Sequence, residues 1–438
     1  MGIIVAKFGG SSLANSSQFN KVKAIVAADP RRRYIVPSAP GKRTPEDHKI
    51  TDLLYLCHAH AQQGIPFDDV FALVVRRFLG IVQELRLSLD LTGHFEMIKQ
   101  QIAAGASADY AASRGEFLNG LILAADLDFP LIDPVEIICF NKAGQFDPVY
   151  TQQKVSERLR NLEYAVIPGF YGATPDGKIQ TFSRGGSDIS GAIVARGVQA
   201  ELYENWTDVS GFLMADPRVI DNPRPIETIT YRELRELAYM GATVLHEEAI
   251  FPVRQAGIPI RIKNTNAPFH PGTLIVNDAA PNTESGALTG IAGRKDFTVI
   301  TVEKSLMNAE LGFGRKLLGI LESNHISFEH LPSGIDALSV VISDSQLTNK
   351  LDKVLEEIEQ QLKPDAVEVS PNMALIATVG RGMAYTPGIA AKLFSALAAD
   401  GVNVKMIDQG SSEINIIVGV DTDDFQRAVQ AIYRAFVS

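Results

Sequence analysis

The sequence predicts an α/β protein, a mostly parallel sheet sandwiched by helices, followed by two smaller α+β modules. Three observations predict it. The chain opens in the order strand, glycine loop, helix, strand, which is how parallel sheets are built. A second Gly-Gly loop, Gly185-Gly186, sits at another strand-to-helix junction. The last third of the chain repeats itself at a spacing of 76 residues, the mark of a duplicated module.

Bulk composition sets the outer bounds. At 438 residues the chain is long enough for two or three domains. Hydrophobic residues at 46% and charged residues at 21% exclude a disordered or membrane-embedded chain. Net charge is −10 and the one basic run, Arg31 to Arg33 after Pro30, reads as a solvated turn, so no nucleic-acid partner is expected. Cys57 and Cys139 are the only cysteines, too few for a disulfide framework, which fits a reducing compartment. The eight histidines form no HExxH, and His246 before Glu247 and Glu248 lacks a second ligand, so no protein-held metal is expected. Neither a signal peptide nor an apolar run of about 18 residues occurs. A cytoplasmic protein without a membrane partner is the expectation.

Each element follows in order. Met1 to Val5 is an apolar strand that runs into Lys7, Gly9, Gly10, Ser11 and Ser12. Glycines let backbone N–H groups press against a polyanion, and Lys7 adds charge, which outlines a phosphate site; an ordinary strand and tight turn is the alternative. Phe19, Val22, Ile25 and Val26 then fall at helical spacing behind Ser16 and Ser17 as N-caps, and Arg33 to Val36 is a second strand. Ser38 to Pro45 follows as a polar loop at the carboxyl edge, where open α/β sheets bind ligands. Residues 51–127 are mostly helical, with Phe71, Val74, Val75, Phe78 and Leu79 in one stripe and Phe117, Leu121, Ala124 and Ala125 in another. Glu116, in Ser113-Arg114-Gly115-Glu116, is either a first-turn carboxylate that complements the helix dipole or a binding residue. Ala165 to Tyr171 is a buried strand, and Thr174 to Lys178 turns a hairpin back into Ile179 to Phe182. Ser183 to Asp188 is the second glycine loop, with a helix from Ile189 behind it, and its N-terminus favours an anion. Asp188 is either an N-cap or part of that site. Ala200 to Asn205 is a strand, Tyr231 to Met240 a helix and Ile258 to Lys263 a strand, while Pro281 to Gly286 reads as a linker.

The repeat pairs Gly312 with Gly388, Lys316 with Lys392, Leu317 with Leu393, Leu321 with Leu397 and Gly334 with Gly410. The expected strand positions Ile326, Phe328 and Leu331 pair likewise with Val402, Val404 and Ile407. Each copy reads strand, helix, strand, strand, helix, a small antiparallel sheet with helices on one face. Thr386-Pro387 supplies an N-cap and a proline at the first helical position. The expected domains are 1–290, 291–370 and 371–438.

KFGGSS at 7–12, FSRGGSD at 182–188, WTDVSGF with DPR at 206–218 and GATVLH at 241–246 together resemble the aspartate kinases, and the repeats resemble ACT domains, that family's amino-acid-sensing modules. The resemblance spans essentially the whole chain. It implies an amino-acid-kinase fold followed by two ferredoxin-like ACT repeats. No homoserine dehydrogenase of the kind fused to bifunctional relatives is expected, because the chain stops after the second repeat. The chain departs from many members at Thr243, where they carry lysine, and at Glu247, where they carry proline.

The activity implied by the resemblance is transfer of the ATP γ-phosphoryl group to the β-carboxylate of L-aspartate, giving 4-phospho-L-aspartate, the first step toward lysine, threonine and methionine. Such a nucleophile is ionised at neutral pH and needs no base, in keeping with motifs that lack histidine. Lys7 and the backbone donors of Gly9, Gly10, Ser11, Gly185 and Gly186 suit the phosphates. The resemblance further implies that Asp188 orients Lys7, that Mg2+ accompanies the nucleotide with no tightly bound cofactor, and that Thr51, Glu116, Arg184 and Ser187 bind aspartate. Thr207, Asp208, Asp216 and Arg218 fall where the family binds the nucleotide. Met307, Gly312, Ser327, Phe328 and Glu329 match the effector segment, for lysine or threonine, with Glu329 either a partner for a cationic ligand or a solvated strand residue. Exposed sheet edges in the repeats predict a homo-oligomer.

Overall fold

The computed structural model describes residues 2–183, 185–242, 245, 247–278 and 287–437, with 247–249 described by backbone alone. Arg184, Thr243, His246, the Glu247 side chain and the expected linker at 281–286 lie outside the described residues. So far as they are described, Met1–Phe212, Glu227–Tyr231 and Val244–Asp278 form one compact unit, and Leu213–Ile226, Arg232–Thr243 and Ala279–Ser438 a second.

The first unit is α/β. Its strands are β1 (Ile4–Phe8), β2 (Arg32–Pro37), β3 (Ala165–Val166), β4 (Tyr171–Ala173), β5 (Ile179–Thr181), β6 (Leu202–Thr207), β7 (Thr228–Thr230), β8 (Ile260–Asn264) and β9 (Thr273–Val276). Seven of them make a sheet in the order β3-β2-β1-β6-β8-β9-β7, and β4 pairs with β5 as a separate hairpin. From β3 to β8 every pairing is parallel; β9 runs antiparallel to β8 and parallel to β7. β1 is buried along its whole length, which is why its sequence is a near-continuous apolar run rather than an alternating one.

Helices α1 (Ser16–Ala27), α2 (Ile50–Gln62), α3 (Asp68–Glu84), α4 (Thr92–Ala103) and α5 (Ala108–Leu127) bury Phe19, Leu54, Phe78, Ile98 and Ile122 in one cluster with Phe8 and Trp206. Phe8 stacks on Trp206 with centroids 5.9 Å apart. Helices α6 (Pro148–Leu159), α7 (Gly186–Gly197) and α9 (Glu247–Ala256) complete the unit, while α8 (Tyr231–Tyr239) lies in the second unit from Arg232 onward.

Several local expectations change. The cap of α1 is Asn15, whose side chain accepts the Gln18 N–H at 3.0 Å, so Ser16 is already helical. The strand expected over 165–171 is two strands, interrupted at Pro168, Gly169 and Phe170, with Phe170 at φ 83°. The arginine triplet is not a solvated turn throughout. Arg32 begins β2 and pairs with Glu204 at 2.7 Å, where the carboxylate is 5% exposed and also accepts the Trp206 indole N–H.

The second unit holds β10 (Gly290–Glu303), α10 (Phe313–Ser323), β11 (Ala337–Ser343), α11 (Asp344–Leu347), α12 (Leu351–Leu362), β12 (Ala366–Val379), α13 (Ile389–Ala399), β13 (Met406–Asp408), β14 (Asn415–Asp421) and α14 (Phe425–Val437). Helix α13 follows α10 at the 76-residue spacing of the repeat, and Gly312 and Gly388 cap them at φ 81° and 89°. The two copies share one antiparallel sheet in the order β11-β10-β12-β14-β13. Residues 290–294 of β10 pair with 375–379, whereas 297–303 pair with 366–373 and with β11. The register breaks between the halves beside Asp296 (φ 69°) and Asn372 (φ 59°), the residue types that best tolerate left-handed backbone outside glycine.

Two expectations for the repeats are corrected. Residues 326–331 contribute an isolated bridge, His330 to Val341, rather than a strand. Helix α13 begins at Ile389 behind Gly388; Thr386 instead donates its hydroxyl to the Gly382 carbonyl. A positive-φ glycine turns the chain into the helix without a side-chain cap.

Candidate active site

The carboxyl ends of β1, β2 and β6 bring the two glycine loops together. Lys7, the penultimate residue of β1, is 8% exposed, and its Nζ lies 2.6 Å from Asp188 Oδ1. Asp188 is in the first turn of α7, and its Oδ1 also accepts Asn205 Nδ2 from β6 at 2.8 Å. No side-chain cap holds α7, so the Asp188 carboxylate works across the site rather than on its own helix. Asn205 was not singled out in the sequence because it reads as one more strand residue; its inward register on β6, opposite Lys7, is the signal.

The first loop is tight for a steric reason. A Cβ on Gly10 would stand 2.9 Å from the Ala39 carbonyl oxygen, and one on Gly41 would stand 2.7 Å from the Gly10 carbonyl carbon. The loops after β1 and β2 therefore touch backbone to backbone, with Gly41 N donating to Gly10 O at 2.8 Å. Gly9 N–H is taken by the Trp206 carbonyl at 2.9 Å. Gly10 and Ser11 begin a single 3-10 turn, and the opening N–H groups of such a turn have no partner inside it. The β2 loop is fastened from α3: buried Arg77 donates to Gly41 O at 3.0 Å and to Asp47 at 2.5 Å. Arg43 and Arg77 beside Asp47 hold its carboxyl well below the usual carboxylate range.

In the second loop Gly185 caps α7 at φ 60°. A Cβ on Gly186 would meet the Phe170 ring at 2.4 Å, and one on Gly169 would meet Ser187 at 2.7 Å. The break in the strand at 168–170 thus exists to lie flat on the helix N-terminus. Ser190 locks it, accepting Phe170 N–H at 2.9 Å and donating to Gly186 O at 2.9 Å. Ser187 is buried beside Gly169.

Glu116 lies more than two turns into α5, which starts at Ala108 behind the Ser107 cap. It is no first-turn carboxylate. It is 6% exposed, its Oε2 has no hydrogen-bond partner among the described residues, and burial pushes its pKa from 4.5 up to about 8 against the pull of the Ala39 N–H and the Arg114 charge. Arg114 stacks on Tyr110, Phe117 and Tyr171 at 4.8, 4.8 and 5.1 Å. Thr51 is in the first turn of α2, directly after the β2 loop.

Thr207 ends β6 and donates to Asp208 at 3.2 Å. Asp216 and Arg218 belong to the second unit and pair with each other at 2.6 Å. Of the effector candidates, Met307 is buried, Gly312 caps α10 and Phe328 is exposed. Glu329 is not a solvated strand residue: its side chain is 14% exposed, lies 3.9 Å from Arg294 and bonds the Tyr239 hydroxyl, whose pKa rises to about 12 chiefly through burial.

A family model described as the amino acid kinase family matches residues 2–264, and one described as an ACT domain matches 376–436. Aspartokinase 3 of Bacillus subtilis is 38% identical, covering 99% of this chain and 98% of that protein. The chain belongs to the amino acid kinase family, among its aspartokinases. The crystal structure of Clostridium acetobutylicum aspartate kinase, described as an allosteric enzyme, superposes with a TM-score of 0.94 at 60% identity, covering 99% of this chain and all of that one. Two structures of Escherichia coli aspartokinase III are 25% identical and cover at least 99% of both chains. One holds aspartate and ADP in an R-state, the other lysine and aspartate in a T-state, with TM-scores of 0.73 and 0.76. This aspartokinase is therefore an α/β kinase with an ACT domain, and among its described residues no helix is long and apolar enough to cross a membrane.

Proposed function

We propose that this aspartokinase transfers the ATP γ-phosphoryl group to the β-carboxylate of L-aspartate, giving 4-phospho-L-aspartate, the first step toward lysine, threonine and methionine. The observation that carries the reading is Glu116. A buried carboxylate with an unpartnered oxygen and a pKa near 8 is a site that lacks its cation, and the α-ammonium of an amino acid is a cation of the right size. Lys7, steadied by Asp188 and Asn205, places one positive charge where the transferred phosphoryl group gathers negative charge. The free N–H groups opening the 3-10 turn at Gly10 and Ser11, and those of Gly186 and Ser187 at the head of α7, are the anion donors. The β-carboxylate attacks in its ionised form, so positioning replaces proton abstraction. Thr51 and Arg184 complete the aspartate subsite in this reading, and Thr207, Asp208, Asp216 and Arg218 the nucleotide subsite.

No group of three or more His, Cys, Asp or Glu fit to hold a metal occurs among the described residues, and Asp188 already serves Lys7 and Asn205. That donor set fits Mg2+ carried on the nucleotide's own phosphates and water, where it would offset their charge. Offering aspartate, glutamate and uridine monophosphate in turn with Mg-ATP, and following ADP release together with hydroxylamine trapping of acyl phosphate, tests the assignment. Product with aspartate alone is expected; product with glutamate alone, or none, sinks it.

We further propose that residues 1–290 act as the catalytic domain and 291–370 and 371–438 as regulatory repeats of a cytoplasmic homo-oligomer. L-Lysine, with threonine as second candidate, would bind at Met307, Gly312, Ser327, Phe328 and Glu329. The lysine complex of the E. coli relative supports the effector class, and the enclosed Glu329 carboxylate supports a cationic one. Assays against lysine and threonine, singly and together, decide whether the repeats sense either.

A further inference from the structure

The 3-10 turn at Gly10–Leu13 faces two ways. Gly10 and Ser11 are half-buried at its mouth, while Ser12 and Leu13 are buried behind them. Turning the chain in this way leaves the Ser12 hydroxyl inside the protein, where it needs a partner. That partner is Thr265, whose Oγ1 lies 2.7 Å from Ser12 Oγ, with both residues 1% exposed. The other contact of the Ser12 hydroxyl, the Trp206 carbonyl at 3.5 Å, is at the limit of a hydrogen bond, and that carbonyl also serves the Gly9 N–H at 2.9 Å.

Thr265 can hold the turn because it is itself held. It follows β8, and its N–H donates to the Thr207 carbonyl at the end of β6 at 2.9 Å. The residues on either side are tied down as well. Asn264 Nδ2 reaches Ser210 Oγ at 2.9 Å, and Asn266 Oδ1 accepts Lys21 Nζ at 2.7 Å and Gln18 Nε2 at 3.1 Å. Lys21 and Gln18 belong to α1, the helix that follows the turn, so the loop after β8 grips both. Thr265 stands one residue beyond the stretch that matches the kinase family.

We propose that Thr265 is a positioning residue for phosphoryl transfer, fixing through Ser12 the turn whose Gly10 and Ser11 N–H groups receive the phosphates. The proposal rests on that reading of the turn. Backbone donors stabilise developing charge to the extent that they are fixed before it develops, so a loosened turn costs more in the transition state than in the bound substrates.

In the full chain, kcat, the KM values for ATP and L-aspartate, and Tm are measured for the parent, Thr265→Val, Thr265→Ser, Ser12→Ala and the pair Ser12→Ala with Thr265→Val. Valine keeps the branched shape of threonine and removes the hydroxyl. Thr265→Val is expected to lower kcat on the order of 10-fold, the scale of one hydrogen bond, with KM for aspartate changed less than about 2-fold. Thr265→Ser, which keeps the hydroxyl, should recover most of the turnover. The double variant should be no slower than the slower single one, because both substitutions break the same bond, whereas independent defects would multiply to about 100-fold. A lower Tm with unchanged kcat in Thr265→Val overturns the proposal, as do a rise in KM alone and multiplication in the pair. If the valine variant does not fold, Ser12→Ala breaks the bond from the other side, and unchanged kcat there overturns the proposal equally. Gly41→Ala displaces the same turn by a different contact and separates the two readings. If it lowers kcat and the Thr265 and Ser12 variants do not, Thr265 is wrong and the phosphate turn stands. If it too leaves kcat unchanged, the reading of the turn falls and this proposal with it.

Discussion

Lys7 owes its place to Asp188 on α7, which Asn205 on β6 holds in turn. Its charge is worth more as the phosphoryl bond breaks than in bound ATP, so Lys7→Ala should lower kcat at least ~100-fold with a smaller change in ATP affinity. Near-normal turnover in the purified variant would remove Lys7 from the mechanism. Glu116 makes a pH-dependent prediction. Its pKa rises on folding from 4.5 to about 8, so the stability that goes with its protonated form is complete below about pH 4.5 and drains away as pH climbs through 8. Glu116→Gln should therefore match the parent in Tm near pH 4.5 and exceed it increasingly up to pH 8.5 without ligand. In the parent, KM for aspartate should fall as pH rises from 6 to 8, because the carboxylate must ionise to receive the ammonium, and that slope should vanish in Glu116→Gln. A pH-independent Tm gap would mean that the carboxylate is solvated. Lys7 and Asp188 were legible in the sequence because charge beside paired glycines is a local pattern. The surroundings of Glu116 were not, since they depend on where α5 begins; Ser107, which accepts Tyr110 N–H, was the cap that would have shown Glu116 to be deep in the helix. Asn119, whose amide donates to the Ser38 carbonyl, carried no local signal at all, as its meaning comes from a loop some 80 positions away in the chain.

Among elements, the loops after β1 and β2 are the most constrained pair, because Gly10 and Gly41 leave no room for a side chain between them. Gly41→Ala should push the Gly10–Ser11 turn off its position, at a cost of about 1–3 kcal/mol for the overpacked contact. The expected result is a lower Tm together with a kcat loss, read from melting and initial rates on the same sample. A fall in Tm with unchanged kcat would show that the turn does not need that position for turnover. The alternation of strands and helices was visible from apolar periodicity, yet the break between β3 and β4 was not, although Pro168 and Gly169 announce it. A proline and a glycine in an apolar run compete with strand propensity, and here the tertiary demand of the α7 N-terminus wins. The same competition explains 326–331, whose spacing suited a strand but which makes one bridge to β11.

At the level of the whole molecule, the duplication was readable because it preserved spacing, while the sharing of one sheet by both copies was not, because pairing between β10 and β12 joins stretches about 75 residues apart. Glu329→Ala should raise the lysine concentration needed for half-inhibition, since it removes the enclosed carboxylate that Arg294 and Tyr239 now share; unchanged sensitivity would place the effector elsewhere. Within the second unit, Glu233 of α8 is fully buried and receives Arg381 through its guanidinium and its N–H, both at 2.9 Å, and Thr289 at 2.5 Å. Arg381→Ala removes the guanidinium and shifts the balance around that buried carboxylate, so unfolding should come earlier by an amount on the order of 3–5 kcal/mol, visible by calorimetry. Glu236 on the same helix receives Asn415 at 2.7 Å. Residues 232–239 fall inside the stretch that matches the kinase family, 2–264, and yet fold with the repeats. A crossover that joined this kinase stretch to a foreign sensor would carry α8 away from Arg381, Thr289 and Asn415 and take those three donors from Glu233 and Glu236. Modular exchange of the sensing half is thereby barred to a single splice, and the pair must be inherited together or re-matched at α8.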